Sequence, residues 1–182
     1  MTERTAVASA KVKCAMGPVW VLATERGLRE VRLGSAARPS SRELREAGLR
    51  LVRKPRWTEA ACRQLERYFR GQGDGFDLPL DLAAGTAFER RVWEATRRVP
   101  HGATRSYGEI AERIGAPRAA RAVGNALGHN PAPIVIPCHR VIRSTTDLGG
   151  FTGGLPWKRY LIEIERGQLE MTLRPRRRIG AA

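Results

Sequence analysis

The sequence predicts an α+β protein built as two units. Two short β-like runs around a turn mark the first half of the chain, N-capped helical patterns fill its second half, and the composition changes between them at Ala84-Gly85. The units are accordingly 1–84, a small α/β unit, and 85–167, a helical one, with 168–182 a basic tail expected to be disordered. With 42% hydrophobic residues the chain can bury a core.

The elements follow in order. Val19 to Leu33 reads VWVLATERGLREVRL, two β-like runs around Glu25-Arg26-Gly27, which is a hairpin signature. Trp57, Ala61, Leu65 and Tyr68 then recur at helical spacing, with Gly71 as the stop. FDLPLDL (76–82) alternates, and Pro79 confines it to a sheet edge. Thr86-x-x-Glu89 and Ser106-x-x-Glu109 are capping boxes, the second opening a helix from Tyr107 to Ile114 that Gly115 ends. Pro117 suits the first turn of a further helix to about Leu127. Residues 131–136 read as a rigid approach to a short buried strand, and a last helix runs from Pro156 to about Arg166.

Charge bounds the function. Thirty-three basic against 18 acidic residues give a formal net charge of +15, nearly all from arginine, and such a surface attracts polyanions. No apolar stretch is long enough for a membrane span and the N-terminus lacks an export signal, so a cytoplasmic protein with no membrane partner is expected. The three cysteines, Cys14, Cys62 and Cys138, are widely spaced and match no zinc-ligand pattern, so neither metal nor cofactor is expected.

Two short helices around Gly115-Ala116-Pro117 have the length and turn chemistry of a helix-turn-helix. In the second, the helical period turns Ala120, Val123, Gly124 and Leu127 inward and places Arg118, Arg121 and Asn125 on the outer stripe. No acidic residue lies between Glu112 and Asp147, whereas Arg113, Arg118, Arg121, Arg140 and Arg143 all do, and this pattern points to phosphate contact.

Cys138 is the candidate nucleophile, because Pro137, His139 and Arg140 flank it and two cationic neighbours would favour a thiolate. In an extended segment His139 would point away from the sulfur, so as a base it would act through a bridging water. A third group must orient the base, and Glu163 and Glu165 both qualify.

PCHRV (137–141), preceded by NPAPIVI (130–136) and RAVG (121–124), resembles the signature of the O6-alkylguanine-DNA alkyltransferases. The similarity extends through SYGEIA (106–111), GGFTGGL (149–155) and KRYLIEIE (158–165), about half the chain. The resemblance implies a ribonuclease H-like N-terminal domain and a winged helix-turn-helix C-terminal domain. It also implies irreversible transfer of an alkyl group from O6-alkylguanine, flipped out of duplex DNA, to Cys138. By motif, Cys138 is the acceptor, His139 the water-linked base, Glu165 the orienting carboxylate and Asn130 the hinge. Arg121 is the finger that replaces the flipped nucleotide, and Tyr107 rotates the phosphate and donates to the guanine ring. Carbonyls of Cys138 and Val141 read the guanine amino group, and the Thr152 backbone N–H approaches O6. Arg118, Asn125 and Arg140 join Arg121 in contacting DNA. The family binds as a monomer through the minor groove, which small residues Ala119, Ala122 and Ala126 suit. O4-alkylthymine is left open as a second substrate.

The chain departs from its relatives at Ser144 to Asp147, where a glycine is usual, and at Phe151 and Thr152, which stand for tyrosine and serine. The cysteine and histidine set with which some relatives bind zinc is absent. Two rival readings are a thiol hydrolase using Cys138 and His139, and a non-catalytic DNA-binding module, which the presence of an acceptor cysteine disfavours.

Overall fold

The computed structural model describes residues 4–34, 37–143 and 147–167. The first unit is a four-stranded sheet of β1 (Thr5–Cys14), β2 (Gly17–Thr24), β3 (Gly27–Leu33) and β4 (Leu49–Leu51), in the order β3-β2-β1-β4. The hairpin predicted between Val19 and Leu33 forms as β2 and β3, and Gly27 opens β3 with φ +135°. Sequence periodicity had not indicated β1, the short helix α1 (Ser41–Glu46) or the parallel strand β4. One face of the sheet is covered by α2 (Arg56–Phe69), whose buried residues Thr58, Ala61, Leu65 and Tyr68 repeat at helical spacing.

The edge strand predicted at 76–82 is reduced to a single bridge, Leu28 to Leu80. Pro79 has no N–H to extend a ladder, so its carbonyl takes the Leu28 N–H at 2.9 Å while the Asp81 N–H reaches Leu28 O at 2.8 Å. A side chain at Gly27 would meet Pro79 O at 2.3 Å, so only glycine admits this approach. The outer edge of β3 receives a third cover from the second unit, because the Val31 N–H donates to Pro131 O at 2.8 Å.

The second unit contains α3 (Ala87–Arg97), α4 (Tyr107–Arg113), α5 (Ala120–Gly128) and α6 (Leu155–Glu165). Both capping boxes form, at Thr86/Glu89 and Ser106/Glu109. The helix expected from Pro117 begins instead at Ala120, after a turn closed by the Ala119 N–H on Ala116 O. The two-residue strands β5 (Arg105–Ser106) and β6 (Val141–Ile142) pair in parallel and bring the start of α4 beside the Cys138 segment. That segment is a single 3-10 turn, Cys138–Arg140, rather than an extended strand, and the approach to it is irregular and buried, with Ile134 at φ 77°.

The apolar core runs unbroken from the sheet through α2 to α3, α5 and α6. Among the described residues no helix is long and apolar enough to cross a membrane. The expected basic tail, 168–182, lies outside the described residues.

Candidate functional site

Cys138 lies buried at the wall of a cavity of about 720 Å³, which Tyr107, Arg121, Asn125, Arg143, Phe151 and Thr152 also line. Asn130 builds this wall. Its Oδ1 accepts from the Ala132 N–H at 3.0 Å, and its Nδ2 donates to Ile136 O at 2.8 Å and to Cys138 Sγ at 3.0 Å. The amide therefore closes the turn after α5 and touches the sulfur directly, a contact beyond the hinge role suggested by motif.

The flanking cations do not create a resting thiolate. Burial pushes the Cys138 thiol up to about 11, against the opposing pull of Asn130 and Lys158. Arg140, expected at the DNA surface, is instead 5% exposed and points at Glu165. The 3-10 turn rotates it inward, away from the groove in which an extended strand would have left it.

Glu163 is only half-buried and makes none of the contacts that follow; Glu165 is the carboxylate that reaches His139. Its Oε1 lies 2.6 Å from His139 Nε2 and accepts from Tyr68 Oη and Arg140 Nη2, each at 2.9 Å. Its Oε2 accepts from the Gly102 N–H at 3.0 Å and Arg140 Nε at 2.9 Å. Despite burial, these donors hold the Glu165 carboxyl far below the usual carboxylate range. An ionised carboxylate can only accept, so the His139 proton sits on Nε2 and Nδ1 carries the basic lone pair. Nδ1 is buried without a partner among the described residues, and burial lowers the ring's pKa, so the imidazole rests neutral and able to take a proton.

Lys158 was not singled out by sequence reasoning. It is completely buried and its Nζ donates to Val141 O at 2.7 Å, Gly150 O at 3.2 Å and Leu148 O. Desolvation pulls it down to about 8. A lysine among Trp157, Tyr160, Leu161 and Ile162 was the available signal, because a solvated lysine would break such an apolar face. One lone pair of the Val141 carbonyl, expected to read the guanine amino group, is thus already occupied.

Tyr107 is half-buried with its ring against Gly124 and Gly149, where an added Cβ would come within 2.9 Å of Tyr107 Oη. Its pKa is raised, first by burial and then by the nearby Cys138. Arg118 and Arg121 are exposed, and neither enters an ion pair among the described residues; Asn125 is exposed on the same helix face as Arg121. Thr152 Oγ1 donates to Gly128 O at 3.2 Å, tying the glycine loop to the end of α5. Ala126, expected to face DNA, is buried, and its carbonyl accepts from Trp93 Nε1. No group of three or more metal-ligating side chains occurs among the described residues.

Family comparison accounts for nearly the whole chain. Residues 7–82 match the ribonuclease-like domain of 6-O-methylguanine DNA methyltransferase and residues 87–167 match its DNA-binding domain. A methylated-DNA--protein-cysteine methyltransferase of Methanosarcina acetivorans is 39% identical over 150 residues, 82% of this chain and 92% of the relative. The chain belongs to the 6-O-methylguanine DNA methyltransferase family. A relative of the same name from Mycolicibacterium paratuberculosis is 56% identical over 112 residues, 62% of this chain and 67% of that one. For the Mycobacterium bovis relative, 55% identical, the alignment spans 65% of its length. The crystal structure of Mycobacterium tuberculosis OGT in complex with DNA superposes with a TM-score of 0.75 at 41% identity, covering 89% of this chain and 94% of that one. The matches bear out the α+β architecture, a sheet-based ribonuclease-like unit followed by a helical DNA-binding one.

Proposed function

We propose that this chain repairs duplex DNA by taking the alkyl group of O6-alkylguanine onto Cys138, once per molecule. The observation that carries the reading is a buried sulfur, held by Asn130, at the wall of a cavity bordered by Arg121 and Tyr107. Arg118, Arg121 and Asn125 engage the minor groove, and the damaged base turns out of the stack into the cavity, since its reacting carbon is inaccessible within the duplex.

The Cys138 thiol gives its proton to His139 Nδ1 through a bridging water, and Glu165 stabilises the imidazolium. Sγ then attacks the alkyl carbon; the S–C bond forms as the C–O6 bond breaks, and guanine leaves with the bonding pair. The Tyr107 hydroxyl donates a proton to the departing ring and is reprotonated from solvent at the cavity mouth. Lys158 holds the loop carrying Thr152, whose N–H faces the developing charge on O6. A thioether offers no leaving group at neutral pH, so the protein is consumed; it acts as a cytoplasmic monomer.

Intact-mass measurement after mixing with an O6-methylguanine duplex tests this. Wild type gains one methyl group and stops, whereas Cys138→Ala gains none and still binds the duplex. Repeated turnover without a mass change, or transfer by Cys138→Ala, would falsify the reading.

A further inference from the structure

Tyr68 belongs to α2 of the first unit, 97 positions from Glu165, yet its hydroxyl donates to the same Oε1 that holds His139 Nε2. It lies 3.4 Å from that nitrogen and is 3% exposed. Its ring is fixed by edge contacts with Phe69 and His101 and a tilted contact with Phe76. Ring packing alone would be served by phenylalanine, whereas a buried hydroxyl needs a partner, and here that partner is the carboxylate behind the base. We propose that Tyr68 is a positioning residue of the alkyl-transfer site, through which the first unit orients Glu165 and limits the basicity of His139. The inference rests on the transfer reaction proposed above.

The charge balance around His139 shows how the hydroxyl acts. Glu165 raises the proton affinity of the imidazole, while Arg140 and Lys158 lower it. Cys138 is adjacent in the chain and neutral, and His101 and Tyr160 approach from the Tyr68 side. Each hydrogen bond donated to Oε1 draws off carboxylate charge that would otherwise bind the Nε2 proton. Burial and the Glu165 charge together keep Tyr68 protonated well above its ordinary value, so it remains a donor across the working range. Without its hydroxyl, Glu165 pulls harder on the imidazole, and His139 stays protonated, unable to act as base, to a higher pH.

The test uses Tyr68→Phe in the full chain, with transfer from free O6-benzylguanine measured across pH 5 to about 9, a span bracketing the ordinary histidine pKa. The acid limb of the rate should move up by roughly half a unit to one unit, giving a deficit of about three- to ten-fold below it that closes at alkaline pH. Duplex affinity should be nearly unchanged, and the thermal midpoint should fall by a few degrees, as the loss of one buried charge-assisted hydrogen bond requires. In a Glu165→Gln background the Tyr68→Phe change should have no further effect on the profile. An unshifted limb, an equal loss at every pH, or additive effects in the double variant would each overturn the assignment. If wild type itself acquires no alkyl group, the reading of the reaction fails instead, and the intact-mass measurement separates the two cases.

Discussion

Arg140 and Arg121 are both arginines of the Cys138 neighbourhood, and the fold treats them in opposite ways. Arg140 is desolvated, with its guanidinium distributed over both oxygens of Glu165 and the Val99 carbonyl. Arg121 stands in solvent at the cavity mouth, outside any ion pair among the described residues. A buried charge stays in place only if every donor finds an acceptor, so Arg140 is committed to structure. An exposed charge without a partner costs the fold little and is available to a phosphate or a base stack. Solvation, rather than residue type, separates the arginine committed to the fold from the one left available to a ligand.

The largest effect that would break this contrast concerns stability. Arg140→Met should cost about 3–5 kcal/mol, because it strips a buried carboxylate of its main counter-charge. Denaturant titration should show this, while Arg121→Ala should stay within about 0.5 kcal/mol of wild type. A tolerated Arg140→Met would mean that Tyr68, Gly102 and His139 suffice for Glu165.

A smaller effect sharpens the other side. Arg121→Ala should slow transfer from duplex DNA by roughly ten-fold while sparing free O6-benzylguanine, since a free base needs no substitute in the stack. The salt slope of duplex binding should fall by about one charge equivalent. Equal losses on both substrates would place Arg121 in the pocket chemistry instead of at the groove.

The smallest effect is a pH dependence confined to the buried side. His139 titrates lower folded than unfolded, so stability begins to fall as pH drops through about 6.5, where the unfolded chain takes the proton first. Glu165 is also depressed, so its contribution is present above about 4.3 and is lost as pH falls toward its folded value. Thermal midpoints should therefore decline in two stages on acidification, and Glu165→Gln should remove the lower one. A midpoint flat from neutrality down to about pH 4 would contradict the buried pairing.

What was legible in the sequence was local. Thr86/Glu89 and Ser106/Glu109 satisfy their own backbone donors within one turn, so both helix starts could be read directly. The β2–β3 hairpin was equally self-contained. Cys138, His139, Asn130 and Glu165 were found by motif, and the structure brings them together. Arg140 was misplaced because adjacency to Cys138 suggested a shared surface, and a single 3-10 turn reverses that inference. Tyr68 and Lys158 escaped notice because their partners lie across the fold: a buried tyrosine in a helical stripe reads as packing until its hydroxyl's acceptor is seen. Strand β1 carries Ser9, Lys11 and Lys13 on its less buried positions and lacked the turn signals that mark a hairpin.

The hydrogen bond from the Val31 N–H to Pro131 O has a bearing on solubility. An uncovered strand at the end of a sheet offers a row of unpaired amides to any passing chain, and β3 occupies that position. Pro79 and Asp81 cover its first residues, and Pro131, in the loop between α5 and Cys138, covers Val31. The second unit thus shields the sheet from self-association, and a fragment ending at residue 84 would present Val31 to its own copies as a template for aggregation.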